Sequence, residues 1–291
     1  MNKLVSVIIT THERACWIVE RAVKSVYNQT YKNIEIIVVN DSKNFKENSN
    51  IVEMLRKYKV RYIESNQKGA NFSRNLGIKL SKGEIIALLD DDDEWHEMKL
   101  EKMVPYLNEK DIGLVYCDFD YIELNERITQ LKIKKYEGIV YKELLYENFI
   151  GGCSIPIMRK NALIKVGMFD EELPSCQDID VWLRIAKNFK IKYVDKKLVH
   201  YYVSNIAITS NPFKRIEGWK KLIRKYNNDM KLYPICMEKW EGLVIENKIA
   251  FGLWNSFLEE EMFIKKFSKY YKYFFRGLIK CILVKLKIRN R

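Results

Sequence analysis

The sequence predicts an α/β fold of Rossmann-like type, a mostly parallel sheet with helices on both faces, followed by a helical C-terminal extension. Three observations carry that prediction. Two β-branched runs of strand length, Val5-Ser6-Val7-Ile8-Ile9 and Ile34-Glu35-Ile36-Ile37-Val38-Val39, flank a stretch whose apolar residues Ile18, Ala22, Val23 and Val26 recur at helical spacing. The same alternation continues to about residue 120, and strands that alternate with helices pair in parallel. From about Phe213 onward the pattern is mostly helical.

In chain order, the first strand is expected from Leu4 to Thr10, with further strands at Val60 to Glu64, Glu84 to Leu89 and Ile112 to Cys117. Helices are expected near Glu47 to Lys57, Ala70 to Leu80 and Glu97 to Asn108. After residue 120 the rhythm breaks. Ile128 to Lys134 and Ser154 to Met158 read as edge strands, and Asp180 to Phe189 as a helix with Val181, Ile185 and Phe189 on one face. A soft boundary near residue 210 divides a domain over 1–210 from an extension over 211–291.

Composition narrows the function classes. The chain has 291 residues, 47% of them hydrophobic, with only 12 glycines and 5 prolines, which argues against disorder and low-complexity linkers. Six cysteines stand far apart with no pair at metal-ligand spacing, so a reduced, cytoplasmic setting is expected. No run of about 20 apolar residues occurs, so neither export nor a membrane span is expected. The net charge of +13 is concentrated: seven lysines and three arginines, with no acidic residue, lie between Met262 and Arg291. A nucleic-acid-binding module would spread its charge over the body, so no nucleic-acid partner is expected.

One short stretch points to chemistry. In "ALLDDDDEW", residues 87–95, an apolar strand runs directly into Asp90, Asp91, Asp92 and Asp93. Adjacent carboxylates repel one another unless a cation, a positive ligand or water offsets the charge. The run sits at a strand's carboxyl end, where open α/β sheets bind ligands. Thr10-Thr11-His12-Glu13-Arg14 follows the first strand and Asn40-Asp41-Ser42 the second, so three polar strand ends converge in a crevice suited to a nucleotide.

Four segments in order, "VSVIITTHER", "NQTYKNIEIIVVNDS", "GANFSRNLGIKLSKGEIIALLDDDDEW" and "QDIDVWLRIA", resemble glycosyltransferase family 2, the inverting enzymes with the GT-A fold, over about residues 4–205. The resemblance implies a catalytic domain with a nucleotide-sugar part over about 1–120 and an acceptor part over about 121–210. It places Asp41 on the base, Thr10 beside base and ribose, and Asp90 on the ribose or a metal-bound water. Its D-x-D motif falls on Asp90-Asp91-Asp92, with Asp92 as the direct ligand of Mg²⁺ or Mn²⁺. Arg74, with Asn75 and Gly77, resembles the segment beneath the nucleotide, and its guanidinium either contacts the diphosphate or braces the aspartates. Gly69 is expected to let that loop approach closely.

The resemblance assigns the general base to Asp178, with Asp180 as the alternative. Gln177 stands where the family has an acid, and Trp182 reads either as a wall of the acceptor site or as core. Where relatives carry a metal-reaching histidine, "LVHYYVSN" offers Ser204; His200, four residues earlier, is a possible support or a structural residue.

In the tail, Phe263, Phe267, Tyr270, Phe274, Leu278 and Cys281 share one helical face and Lys265, Lys269, Lys272, Arg276 and Lys280 the other. Such a helix either lies on an anionic inner membrane leaflet or packs on the catalytic domain. The resulting expectation is transfer of a sugar from a nucleotide-sugar, with uridine the favoured base, to a glycan or lipid-linked glycan in surface polysaccharide synthesis. The alternatives are an inactive relative, given Gln177 and Ser204, and a nucleotidyltransferase, which "TTHERAC" disfavours because it has no glycine.

Overall fold

The computed structural model describes residues 2–43, 45–67, 69–123, 126–128, 134–202, 211–252 and 270–282. Two compact units are present, one of Met1–Glu171 with Gln177–Ser204, the other of Glu172–Cys176 with Asn205–Arg291. The first unit is built on strands β1 (Val5–Thr11), β2 (Ile34–Asn40), β3 (Val60–Glu64), β4 (Ile85–Asp90), β5 (Glu94–Trp95), β6 (Ile112–Glu123), β7 (Glu126–Ile128), β8 (Ile157–Arg159) and β9 (Lys190–Tyr202). They form one sheet in the order β3-β2-β1-β4-β8-β6-β9-β5, with β7 paired to β6.

β1, β2, β3, β4, β6 and β9 share one direction, while β5, β7 and β8 run against it. The apolar runs explain the arrangement. Val7, Ile8, Ile9, Ile37, Val38, Val39 and Ile85 to Leu89 are all buried, so the central strands are covered on both faces, as parallel sheets require. Helices α1 (Cys16–Tyr27), α2 (Phe45–Leu55) and α3 (Ala70–Leu80) follow β1, β2 and β3. Gly77 lets α3 lie close on the sheet, since a Cβ there would meet Ile8 Cγ2 at 2.5 Å.

Three expectations need correction. Glu97 to Asn108 is not one helix but α4 (Lys99–Met103) and a 3₁₀ turn, Val104–Asn108. Pro105 has no N–H to bond the carbonyl one turn back, so the α-helix stops. The Ser154 to Met158 stretch is not an edge strand. It becomes β8, inserted antiparallel between β4 and β6. Pro156 suggests an edge, but it stands just before the strand and owes the ladder no N–H, while Ile157 and Met158 are fully buried. The helix expected at Asp180 to Phe189 is α7, Gln177–Ala186. Of the strand expected over Ile128 to Lys134, Ile128 belongs to β7 and residues 129–133 lie outside the described residues.

Shorter helices α5 (Tyr141–Tyr146) and α6 (Lys160–Lys165) complete the first unit. The second unit holds α8 (Pro212–Lys225), α9 (Asn227–Leu232), α10 (Pro234–Ala250) and a helix over residues 270–282, α11. Trp219 and Tyr226 pack edge-on against Trp240, and Tyr270 and Tyr273 of α11 bury against Ile245 and Ile249 of α10. Phe274 and Leu278 pack on the same cluster, so the apolar face read from the tail sequence is used internally. Its basic neighbours are also engaged: Lys272 pairs with Glu238 at 3.4 Å, Arg276 with Glu246 at 3.3 Å, and Lys280 with Glu246. Phe263, Lys265, Phe267 and Lys269 lie outside the described residues.

Candidate active site

The parallel register brings the polar strand ends together. Thr10 pairs with Val39 of β2 on one side and with Asp90 of β4 on the other, and Thr11 with Asn40. Asp41, just past β2, is buried, and its two oxygens accept from the His12 ring at 2.7 Å and from the Gly69 amide at 2.6 Å. A carboxylate has about four lone-pair positions, so capacity remains for a ligand. Gly69 has φ of +129°, and a Cβ there would meet nothing within 4 Å. Backbone conformation alone therefore calls for glycine at this position.

Each carboxylate of the aspartate run has a defined setting. The Asp90 side chain accepts from Arg74 Nη2 at 2.8 Å, while its amide donates to Ser154 Oγ at 3.0 Å. Arg14 spans the next two, with Nε to Asp91 at 3.0 Å and Nη2 to Asp92 at 2.6 Å. Asp93 is buried and accepts from the Tyr202 amide at 3.0 Å. Burial, then the charges of Asp90 and Asp91, push the Asp92 carboxyl up to about 6, with Arg14 opposing. The tryptophan that closes the motif is structural. Trp95 Nε1 donates to the Ser154 carbonyl at 2.8 Å, and buried Lys99 beneath it donates to the Ile155 carbonyl at 2.9 Å, fixing the segment that leads into β8.

Arg74 is paired with Asp90, the first carboxylate of the run. Its buried guanidinium lies 5.6 Å from the Phe169 ring centroid, and its pKa stays high because Asp90 and Asp178 favour the cation against the cost of burial. Asn75 holds the Phe169 backbone through both its amide groups, at 2.8 and 2.9 Å, so α3 positions the chain before α7.

At the start of α7, Asp178 accepts from the Ile179 amide at 2.8 Å and is half-buried. Burial raises its carboxyl to about 6, opposed by that N–H and by Arg74 and reinforced by Asp90. Gln177 opens the helix and is partly exposed. Asp180, the alternative base, is fully buried and receives Arg184 at 2.7 Å, while Arg184 also donates to the Met168 carbonyl at 2.6 Å. Through Arg184, Asp180 anchors the chain between α6 and α7 to the helix. Trp182 is core: it is fully buried and donates to the Gly151 carbonyl at 3.0 Å.

His200 faces away from the aspartates. It pairs across the sheet with Glu94, whose carboxylate is 3.9 Å from its Nδ1. Strand alternation instead turns Tyr201 toward the crevice, where burial and then Asp93, Asp90, Asp178 and Asp92 raise its phenol and keep it protonated. Ser204 lies outside the described residues. Sequence reading missed Tyr201, Ser154 and Arg21, and placed Arg14 at the converging strand ends without giving it a role.

Among the described residues no three His, Cys, Asp or Glu side chains are grouped to hold a metal ion. The oxygen donors of Asp90 and Asp92 nevertheless have the chemistry of a hard divalent cation's ligands, which usually leaves several positions to phosphate and water.

The chain matches the profile of "Glycosyl transferase family 2" over residues 6–167, more than half its length. An uncharacterized glycosyltransferase of Rickettsia typhi is 30% identical over 231 residues, covering 76% of this chain and 70% of that protein. Against relatives from Rickettsia conorii and Rickettsia felis the chain spans 41% of their length. The Escherichia coli protein WfaP, described as a UDP-Glc:α-D-GlcNAc-diphosphoundecaprenol β-1,3-glucosyltransferase, is 29% identical, covering 81% of this chain and 91% of its own. Among solved structures, S. aureus TarS 1-349 in complex with UDP-GlcNAc superposes with a TM-score of 0.64 at 18% identity, over 94% of this chain and 81% of its own. A Pyrobaculum calidifontis mannosyltransferase in complex with GDP-Man and Mn²⁺ gives 0.61 at 14% identity, over 97% and 88%. The mixed sheet with its parallel strand ends is thus the GT-A fold, and the chain belongs to glycosyltransferase family 2.

Proposed function

We propose that this chain is an inverting glycosyltransferase that moves a sugar from a UDP-sugar to a glycan or lipid-linked glycan acceptor in surface polysaccharide synthesis. The observation that carries the reading is the presence of two unlike acidic sites in the first unit, a clamped aspartate run at the strand ends and the half-buried Asp178, its carboxyl raised by burial, at the start of α7. The UDP-Glc in the name of WfaP and the UDP-GlcNAc bound in the TarS complex support the choice of base, and the lipid-linked acceptor in the name of WfaP supports the class of acceptor. On this reading residues 1–120 bind the donor, 121–210 shape the acceptor site and 211–291 form the extension.

Thr10 and Asp41 hold the nucleoside, Asp90 serves the ribose, and Asp92, with diphosphate and water, would hold Mg²⁺ or Mn²⁺. When bound, such a cation offsets charge on the departing diphosphate. Asp178 orients the acceptor hydroxyl and takes its proton as oxygen attacks the anomeric carbon from the face opposite the leaving group. One C–O bond forms, the bond to the diphosphate oxygen breaks, and the proton passes from Asp178 to solvent. A carboxylate raised to about 6 is still ionised at neutral pH yet basic enough to accept that proton.

Tyr271, Phe275, Ile279 and Ile282 form an exposed apolar stripe on α11 at helical spacing, beside Lys272, Arg276 and Lys280. This stripe, rather than the buried face, is the side on which the extension meets an anionic membrane surface. Among the described residues no helix is long and apolar enough to cross a membrane. The test is product stereochemistry. Proton NMR of the product from an α-linked UDP-sugar is expected to show a β-linkage; a retained α-linkage would exclude single displacement with Asp178 as base.

A further inference from the structure

Arg14 has no place in the donor and base assignments, yet it pairs with two carboxylates of the aspartate run. Its Nε and Nη2 engage Asp91 and Asp92 at 3.0 and 2.6 Å, and the side chain is 18% exposed. The turn that aims it is unusual: Glu13, just before it, has φ of +49°, a left-handed conformation that residues other than glycine seldom adopt. Arg21 differs in kind. It donates to the Asp92 backbone carbonyl at 2.5 Å and stacks 3.6 Å over the Tyr202 ring, so it fixes the main chain. Arg14, from a loop between β1 and α1, donates to the carboxylates and, among the described residues, to no backbone carbonyl.

We propose that Arg14 is a built-in counter-ion for Asp92, the metal-ligating carboxylate, and its neighbour Asp91, paired with both in the nucleotide-free protein and displaced when a divalent cation and a nucleoside diphosphate bind together. The inference rests on the metal reading under Proposed function. A guanidinium and a hard cation cannot share the Asp92 carboxylate without bringing like charges within about 4 Å, where they repel strongly at low effective dielectric. A diphosphate resolves the conflict, because it binds guanidinium in the same two-pronged geometry as a carboxylate. Metal alone therefore competes with Arg14, whereas metal with nucleotide does not. Linkage then requires the two ligands to strengthen each other's binding.

Calorimetric titration of the full chain with Mn²⁺ alone, and again with UDP present, tests this in wild type, Arg14→Gln, Arg14→Lys and Asp92→Asn. The expected result is Mn²⁺ binding alone about ten-fold tighter in Arg14→Gln than in wild type, with the enhancement by UDP reduced by a similar factor. Arg14→Lys should fall between them, and Asp92→Asn should bind no Mn²⁺. Equal or weaker Mn²⁺ binding by Arg14→Gln, with binding still dependent on Asp92, would overturn the role of Arg14 and leave the metal reading standing. Absence of Mn²⁺ binding in every variant, even with UDP, would remove the metal reading and this inference together. If thermal melting shows Arg14→Gln unfolded, Arg14→Lys decides, and a Mn²⁺ affinity no tighter than wild type would overturn the proposal.

Discussion

The carboxylates at the end of β4 and the carboxylate at the start of α7 are both partly buried acidic groups, yet they are treated in opposite ways. Asp90, Asp91 and Asp92 each face a guanidinium, from Arg74 or Arg14. Asp178 accepts one backbone N–H and forms no ion pair among the described residues. The difference teaches how one sheet edge can divide labour. Cation-paired carboxylates are suited to holding a charged ligand, and a carboxylate made costly to ionise is suited to taking a proton.

Breaking the second site should have the largest effect. Asp178→Asn removes the base while keeping shape, so transfer should fall about 10²–10⁴-fold with donor affinity unchanged, read by steady-state kinetics beside calorimetry. Next, Arg184→Met strands the fully buried Asp180, and loss of a buried partner costs about 3–5 kcal/mol of stability in urea unfolding. Near-wild-type stability would restore Asp180 as a candidate base.

pH separates the two roles further. The Asp178 carboxyl has its pKa raised from 3.8 to about 6, so between those values the native state holds a proton that the unfolded chain has released. Its contribution to stability is therefore present at low pH and lost as pH rises through about 6. Transfer must move the other way, falling as pH drops below about 6 because the base is protonated. A pH–rate profile taken at saturating donor and Mn²⁺ that lacks that acidic limb would break the assignment. The smallest effect is expected at His200, which pairs with Glu94 away from the aspartates. His200→Gln should change stability by no more than about 0.5 kcal/mol and leave the transfer rate unchanged, as measured by melting and kinetics.

The donor edge was legible because its causes are local. Unbroken apolar runs such as Ile34 to Val39 mark strands buried on both faces, and a polar residue ending each run marks the sheet's edge. Asp41 and Asp90 to Asp93 could be placed on that edge from periodicity alone. The acceptor side was not, because its geometry is set by distant pairings. Nothing in "SIPIMRK" announces insertion between β4 and β6, and nothing near His200 says that its neighbour Tyr201 turns toward the aspartates. The choice between Asp178 and Asp180, two residues apart on one helix, rested on Arg184 reaching back one turn, a contact open to either reading in the sequence.

The most direct test of the division between binding and proton transfer is calorimetric titration with a panel of nucleoside diphosphates and nucleotide-sugars, first with Mn²⁺ and then with chelator, in wild type, Asp92→Ala and Asp178→Asn. The account predicts selective binding of one uridine nucleotide that needs the metal, disappears in Asp92→Ala and persists in Asp178→Asn. Binding that survives chelation and the loss of Asp92, or that vanishes with Asp178, would contradict it.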